Sequence, residues 1–197
     1  MEPYTKEKER RLSSKKPYFK DRRSAVISIA VVVFLLTLAI LAIDQNNVRR
    51  LGGYLQQAQQ LRGAVDGHVE ERFATLENLL ALVDHSLLHN ELSNITDEYY
   101  RIDDVASISS LYVRMDRLLS DLQRELFAKP SYPSYAPYFE YMYQVEQKLA
   151  ESVALYNNQA EFYNRQIEGF PALIVAKRLS LERLPLFTMA QALSSRP

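Results

Sequence analysis

Cysteine is absent from this chain of 197 residues, and histidine occurs only three times. Without a thiol the protein cannot form disulfides, bind a metal through thiolates or carry out thiol catalysis. The sequence patterns of phosphate-binding loops, dinucleotide-binding loops and serine-hydrolase elbows are missing as well. We therefore expect a protein that is not an enzyme and that holds no cofactor.

Helix breakers and strand signals are also scarce. No proline lies between Tyr18 and Lys129, so no proline forces a helix to end in that region. Sustained alternation of apolar and polar residues is missing, and no Asn-Gly or Asp-Gly pair is flanked by β-branched runs. The sequence therefore predicts an all-α fold.

One uncharged run of twenty residues, Ser24 to Ile43, stands near the N-terminus. As a helix it would extend about 30 Å, which is the hydrocarbon thickness of a bilayer. A cleaved signal peptide is the alternative, but its apolar core is usually about 7–15 residues and ends at a small-residue cleavage site. Length and the poor match at Ile40-Leu41-Ala42 favour an uncleaved transmembrane helix over residues 24–43.

Charge is distributed asymmetrically around this run. Residues 1–23 contain nine Lys and Arg against four acidic residues, a net charge of +5, and the rest of the chain has a net charge of −5. Cytoplasmic flanks carry the basic excess, so we expect the N-terminus inside and the remainder outside. The basic tail is either an orientation signal or, in addition, a contact with anionic lipid headgroups. The acidic remainder disfavours nucleic-acid binding.

Three stripes of apolar residues with spacings of three and four follow the run, which predicts helices that bury one narrow face. The stripes are Ala58, Leu61, Val65, Val69, Phe73, Leu76, Leu80, Val83 and Leu87; Val105, Ile108, Tyr112, Met115, Leu119, Leu122 and Leu126; and Val145, Leu149, Val153, Tyr156, Ala160, Tyr163, Ile167 and Phe170.

Caps and breakers set the expected helix limits. The first helix should continue to about Asn90, with a hinge at Gly52-Gly53 and either a straight course or a bend at Gly63/Gly67. A polar turn over 93–97 should follow. The other expected limits are an Asp103 or Asp104 cap to Ala128, a non-helical loop over 130–137, a helix from Pro137 to Glu168, and a short helix over 172–179.

The third stripe contains a repeated pattern. Tyr156-Asn157 returns as Tyr163-Asn164 and is followed by Phe170-Pro171, and a later Pro185-Leu186-Phe187 completes the series. This order resembles the C-terminal signature of the LemA family of membrane-anchored bacterial helical proteins. Arg72 and Asn78-Leu79 are similar to a conserved block in the first helix of that family.

The resemblance implies a single-pass protein of the bacterial cytoplasmic membrane with an antiparallel up-down bundle of long helices and no catalytic residues. The expected domains are the basic tail (1–23), the transmembrane helix (24–43), the bundle (44–189) and a frayed C-terminus (190–197). By analogy, the expected function is that of a scaffold that organises membrane or envelope proteins. A ligand-sensing accessory domain of an envelope stress or transport system is the alternative. The oligomeric state is not predicted.

Three groups of side chains are candidate sites. His85 and His89 share a helix face, but Ser86 stands where a zinc protease has glutamate, so solvated histidines are favoured over a metal site. The paired asparagines Asn157 and Asn164 fix the packing of a neighbouring helix or recognise a partner. A tyrosine cluster forms either a contact patch for another protein or a cap over the end of the core, and its members are Tyr132, Tyr135, Tyr138, Tyr141 and Tyr143.

Overall fold

A computed structural model of the chain describes residues 21–84 and 86–189, and these residues form five helices and no strand. The all-α prediction is therefore confirmed for this part of the chain. Residues 1–20 of the basic tail and the predicted frayed end lie outside the described residues. The helices are α1 (Arg22–Leu80), α2 (Leu87–Tyr99), α3 (Val105–Phe127), α4 (Tyr132–Glu168) and α5 (Ala172–Arg178).

The chain divides into two compact units, Met1–Asn46 and Asn47–Pro197. The apolar run lies in the first unit, within α1, and its large side chains are exposed, Phe34 for example to 62%. Within the run, the Thr37 hydroxyl is satisfied inside the helix, since its Oγ1 donates to Val33 O at 2.9 Å. By length and composition this helix is able to cross a membrane.

The second unit has an apolar core to which α1, α3 and α4 contribute the predicted stripes. Every residue of the second stripe is buried, as are most of the first and third. Leu61 is only half-buried, and Leu87 and Phe170 are exposed, to 76% and 84%. The predicted burial of Leu87 and Phe170 was wrong because each residue lies beyond the end of the helix whose period placed it on the stripe.

The first helix ends ten residues earlier than predicted. The last turn of α1 tightens, since Val83 N–H donates to Leu80 O at 3.2 Å in a three-residue step. Ser86 then caps the N-terminus of α2, because its side chain accepts from His89 N–H at 3.1 Å. The capping role of Ser86 was not predicted from the sequence.

Helix α2 occupies the region where a polar turn over Ser93–Asp97 was predicted, and that prediction was wrong. The polar side chains are accommodated within the helix: buried Thr96 donates to Leu92 O at 3.0 Å. Tyr99 stacks on Phe73 of α1 with ring centroids 4.1 Å apart. Burial raises the pKa of Tyr99 to about 12, so its hydroxyl is neutral throughout the physiological range.

Helix α1 runs unbroken through all four of its glycines, so neither the hinge at Gly52-Gly53 nor a break at Gly63/Gly67 occurs. The chain leaves the helical path only after Leu80, and α2 begins beyond that turn. A Cβ atom added at any of these glycines would meet nothing within 4 Å, and none has a positive φ. Packing therefore does not require glycine at these positions.

We expect Gly67→Ala to stabilise the second unit by about 1 kcal/mol, because alanine in an exposed helix interior loses less backbone entropy than glycine. Urea unfolding of the detergent-solubilised chain, followed by helical circular dichroism, measures the change. The reverse substitution Ala64→Gly, on the same exposed stretch, should cost a similar amount. A loss of stability in Gly67→Ala would mean that this position is not helical.

The proline-tyrosine segment is helical, contrary to the prediction of a loop over Pro130–Pro137. Helix α4 begins at Tyr132 and carries Pro133 in its first turn, where the missing N–H has no helical acceptor to bond. Pro137 lies inside the helix and removes a single backbone hydrogen bond at an exposed position. The predicted starts and stops at Asp104, Ala128 and Gly169 are confirmed.

Candidate functional site

The paired asparagines of α4 hold the C-terminal segment of the same chain. This segment, residues 181–189, has no regular secondary structure. Asn164 Nδ2 donates to Leu184 O at 2.9 Å, and its Oδ1 accepts from Leu184 N–H at 2.7 Å. Asn157 binds Phe187 in the same two-sided way, at 2.8 Å and 2.9 Å. Each asparagine thus satisfies both backbone groups of one residue.

The spacing of the two asparagines matches the spacing of the residues they bind. Seven residues on a helix rise about 10.5 Å. Three residues of extended chain, from Leu184 to Phe187, span about 10 Å. The two side-chain amides of the Tyr-Asn repeat are therefore spaced so that they bind two residues that stand three apart in an extended peptide.

Two further polar contacts fix the segment between α4 and α3. Tyr156 donates its hydroxyl to Pro185 O at 2.7 Å. Ser109 of α3 accepts from Thr188 N–H at 2.7 Å and donates to Thr188 O at 3.0 Å. Burial raises the pKa of Tyr156, so its hydroxyl keeps the proton that it donates.

The segment also closes the apolar core. Phe187 is only 3% exposed, and its ring lies against that of Tyr112 with centroids 5.8 Å apart. At the other end, Ser180 has a φ of 52°, and Leu181 N–H donates to Ala176 O at 2.9 Å, which closes the C-terminus of α5 and starts the segment. The asparagines therefore bind this segment. The packing interpretation, in which they bind a neighbouring helix, was wrong.

A second polar group lies in the middle of the core, where Arg72 of α1 meets acidic side chains of α3 and α4. The Arg72 guanidinium donates to Asp116 Oδ1, and to Glu146 Oε2 at 3.0 Å. It also donates to the Tyr112 hydroxyl and lies 5.0 Å from the centre of that ring. The three charged side chains are at most 2% exposed.

This buried cluster joins three helices through charge-assisted hydrogen bonds. One guanidinium faces two carboxylates, so the chemistry of the cluster is that of a fixed ion pair in a dry interior. Sequence reasoning singled out Arg72 through the family resemblance but missed Asp116. The available signal was the position of Asp116 four residues after Tyr112, on the apolar face of α3.

The tyrosine cluster divides into two groups. Tyr132, Tyr135 and Tyr138 are half-buried and pack against the core. Tyr141 and Tyr143 are exposed, and Tyr141 donates its hydroxyl to Glu71 of α1. That hydrogen bond lowers the pKa of the Glu71 carboxyl. The contact-patch prediction therefore retains two accessible side chains.

The other family-motif residues have separate environments. Leu79 and Tyr163 are buried in the core, and Asn78 is exposed beside Pro137, Tyr138 and Tyr141, where a cleft of about 260 Å³ opens. Pro171 precedes α5. These residues therefore do not converge on a single site.

The two described histidines, His68 and His89, have different neighbours. His68 Nδ1 is 3.6 Å from Glu71 Oε2, and His89 Nε2 is 3.2 Å from Leu80 O. His85 is outside the described residues, so the pair that the sequence placed on one face is not described together. Over residues 21–84 and 86–189, no group of three or more His, Asp or Glu is arranged to hold a metal ion.

Comparison of the chain with known protein families, with curated proteins and with solved structures found no match.

Proposed function

We propose that this chain is a non-enzymatic, membrane-anchored helical-bundle protein of the LemA type that recruits or organises other proteins of the bacterial envelope. The observation that carries the proposal is that one helix, α1, contains both the exposed apolar run and a buried face of the core. Such a helix connects a membrane anchor to a folded interaction unit without an intervening domain.

Contacts between α1 and α4 support an antiparallel bundle. Gln159 Nε2 lies 3.3 Å from Tyr54 O, and Tyr141 bonds to Glu71. Residue numbers rise along α1 as they fall along α4, which is the order expected for two antiparallel helices. The Tyr-Asn repeat and its bound C-terminal segment account for the resemblance to the LemA signature in physical terms.

The proposed interaction surface is the exposed part of the tyrosine cluster, Tyr141 and Tyr143. Tyrosine combines a large apolar ring with a hydroxyl and is enriched in interface hot spots. The proposed location is the cytoplasmic membrane, with the N-terminus inside and residues 44–197 outside, because the basic excess precedes the apolar run.

We expect the intact chain to remain in the membrane fraction after alkaline carbonate washing, and residues 44–197 to be digested by protease added to spheroplasts. In-cell crosslinking should then capture envelope proteins, and Tyr143→Ser should remove at least one of the captured species. Tyr100→Ser is the matched control, because Tyr100 is exposed to 55% at the C-terminal end of α2 and should leave the pattern unchanged.

Different outcomes separate this proposal from its competitors. Recovery of the chain in the soluble fraction would rule out anchoring, and protease resistance in intact spheroplasts would reverse the orientation. Capture of one signalling partner, altered by an added ligand, would identify a sensor. An unchanged crosslinking pattern in Tyr143→Ser would remove the tyrosines from the proposed contact surface.

A further inference from the structure

An exposed apolar and basic surface surrounds the start of the second unit. Phe170 and Ile174 are exposed to 84% and 61%, and both lie within five residues of one another around the start of α5. Single exposed apolar residues are ordinary on protein surfaces. Here they are accompanied by several cations, and we call the group the basic–apolar patch: Phe170, Ile174, Arg49, Arg50, Arg165 and Lys177.

Three members of the patch, Arg50, Arg165 and Phe170, are brought together by the fold from different helices and loops. Asn47 and Arg50 of α1, Arg165 of α4, and Phe170 line one cleft of about 170 Å³. Beneath it, Leu51, Ile167 and Val175 form a small buried apolar cluster that joins α1, α4 and α5. The position of Phe170 relative to the early part of the second unit is therefore fixed by packing.

The local charge is opposite to that of the rest of the exported region. Residues 47–55 and 165–179 contain five basic residues and one acidic residue, although the chain after residue 23 has a net charge of −5. A basic surface that also exposes an aromatic ring and an aliphatic side chain matches the boundary between anionic headgroups and acyl chains.

The covalent structure keeps this patch near a membrane. Asn47 follows Ile43, the last residue of the apolar run, by four residues. Four residues span at most about 14 Å in any conformation. The cleft that contains Asn47 and Phe170 therefore cannot be far from the bilayer surface when residues 24–43 cross it.

We propose that the basic–apolar patch is a second membrane contact, in which Phe170 and Ile174 insert at the headgroup boundary and the surrounding cations bind anionic lipids. This inference rests on the proposed anchoring through residues 24–43. The inference adds that the second unit contacts the membrane directly through its own surface, in addition to its covalent connection to the transmembrane helix.

The absence of tryptophan allows a direct test. The full chain with Phe170→Trp, reconstituted in vesicles of phosphatidylglycerol and phosphatidylcholine, has a single tryptophan, which lies in the patch and can be excited selectively. We expect its emission to be blue-shifted and to be quenched by lipids brominated on the upper part of the acyl chains. The patch follows the anchor in the chain, so either orientation in the vesicle gives the same result.

Phe127→Trp is the matched control, because Phe127 is also an exposed aromatic residue, to 60%, but is the last residue of α3 and lies outside the patch. We expect little quenching there, and weaker quenching of Phe170→Trp in vesicles of phosphatidylcholine alone. Equal quenching at both positions, or none at position 170 in protein that stays in the vesicles, would overturn the inference. A blue shift without lipid quenching would indicate contact with a second copy and would also overturn it.

Failure of anchoring has a different signature. If the chain remains at the bottom of a sucrose flotation gradient while the vesicles rise, the transmembrane assignment is wrong. The proposed patch contact is then wrong as well. If the chain floats with the vesicles while the tryptophan at position 170 remains unquenched, the anchor stands and only the patch contact is wrong.

Discussion

Replacing Arg72 with methionine is expected to destabilise the second unit by about 3–5 kcal/mol, one of the largest effects of any single substitution in this chain. Methionine is unbranched and flexible, so it fills much of the space of the arginine stem. It removes the only cation among the three buried charged side chains, so the buried carboxylates of Asp116 and Glu146 lose this counter-charge. The cost arises from the uncompensated charges and not from lost packing.

A triple variant separates these two causes. Arg72→Met combined with Asp116→Leu and Glu146→Leu replaces the whole cluster with apolar side chains of similar volume. Buried ion pairs replaced in this way are often as stable as the original or more stable. We therefore expect the triple variant to recover most of the lost stability, which urea unfolding of the detergent-solubilised chain would measure.

The control is Arg117→Met, because Arg117 lies on the exposed face of α3 and should change stability little. A triple variant as unstable as the single variant would contradict the electrostatic explanation and would point to a packing defect. A single variant as stable as the control would mean that the buried cluster does not contribute to the fold.

The helices whose apolar residues repeat over long stretches were predictable. The stripes of α1, α3 and α4 are buried as expected, because a spacing of three and four residues directly determines which face of a helix leaves water. Asp104 was recognisable as a cap, since its side chain accepts from Ser107 N–H at 2.9 Å in the manner typical of that residue type.

Features that depend on contacts between distant residues were not predictable. Arg72 is 44 residues from Asp116 and forms its bond only when α1 and α3 are packed together. The short helix α2 was missed because the polar residues of Ser93–Asp97 by themselves favour a turn. Tyr99 of α2 stacks on Phe73, and this tertiary contact stabilises the helix against the local preference for a turn.

The role of the asparagines lies between these two cases. Their spacing of seven was visible, and so was the later Pro185-Leu186-Phe187, but the two were treated as separate parts of one family signature. Comparing helical rise with extended rise would have related the two asparagines to Leu184 and Phe187. Only the structure shows that the two elements bind each other.

Replacing both asparagines with alanine is expected to release the C-terminal segment and to destabilise the second unit by several kcal/mol. Each substitution removes two hydrogen bonds to the backbone of the segment, at about 0.5–1.5 kcal/mol per bond. Release of Phe187 from the core adds the loss of its apolar burial, about 1.5–3 kcal/mol.

Asn158→Ala is the matched control, because Asn158 is the neighbouring residue and is exposed. Alanine favours helix over asparagine by up to about 0.7 kcal/mol, so the control should be slightly stabilised and measures that contribution separately. The destabilisation of Asn157→Ala/Asn164→Ala is then attributable to the lost contacts with the segment.

Trypsin provides a readout at one peptide bond. Trypsin cleaves after Arg183, and the next residue, Leu184, has its N–H and C=O hydrogen-bonded to Asn164. A protease must bind the backbone around the cleaved bond in its own active site, and these hydrogen bonds prevent that while the segment is bound. We expect the native chain and Asn158→Ala to resist cleavage there and the double variant to be cut rapidly, as followed by mass spectrometry. Equal cleavage in all three proteins would mean that the asparagines do not hold the segment, and the Tyr-Asn repeat would then need another explanation.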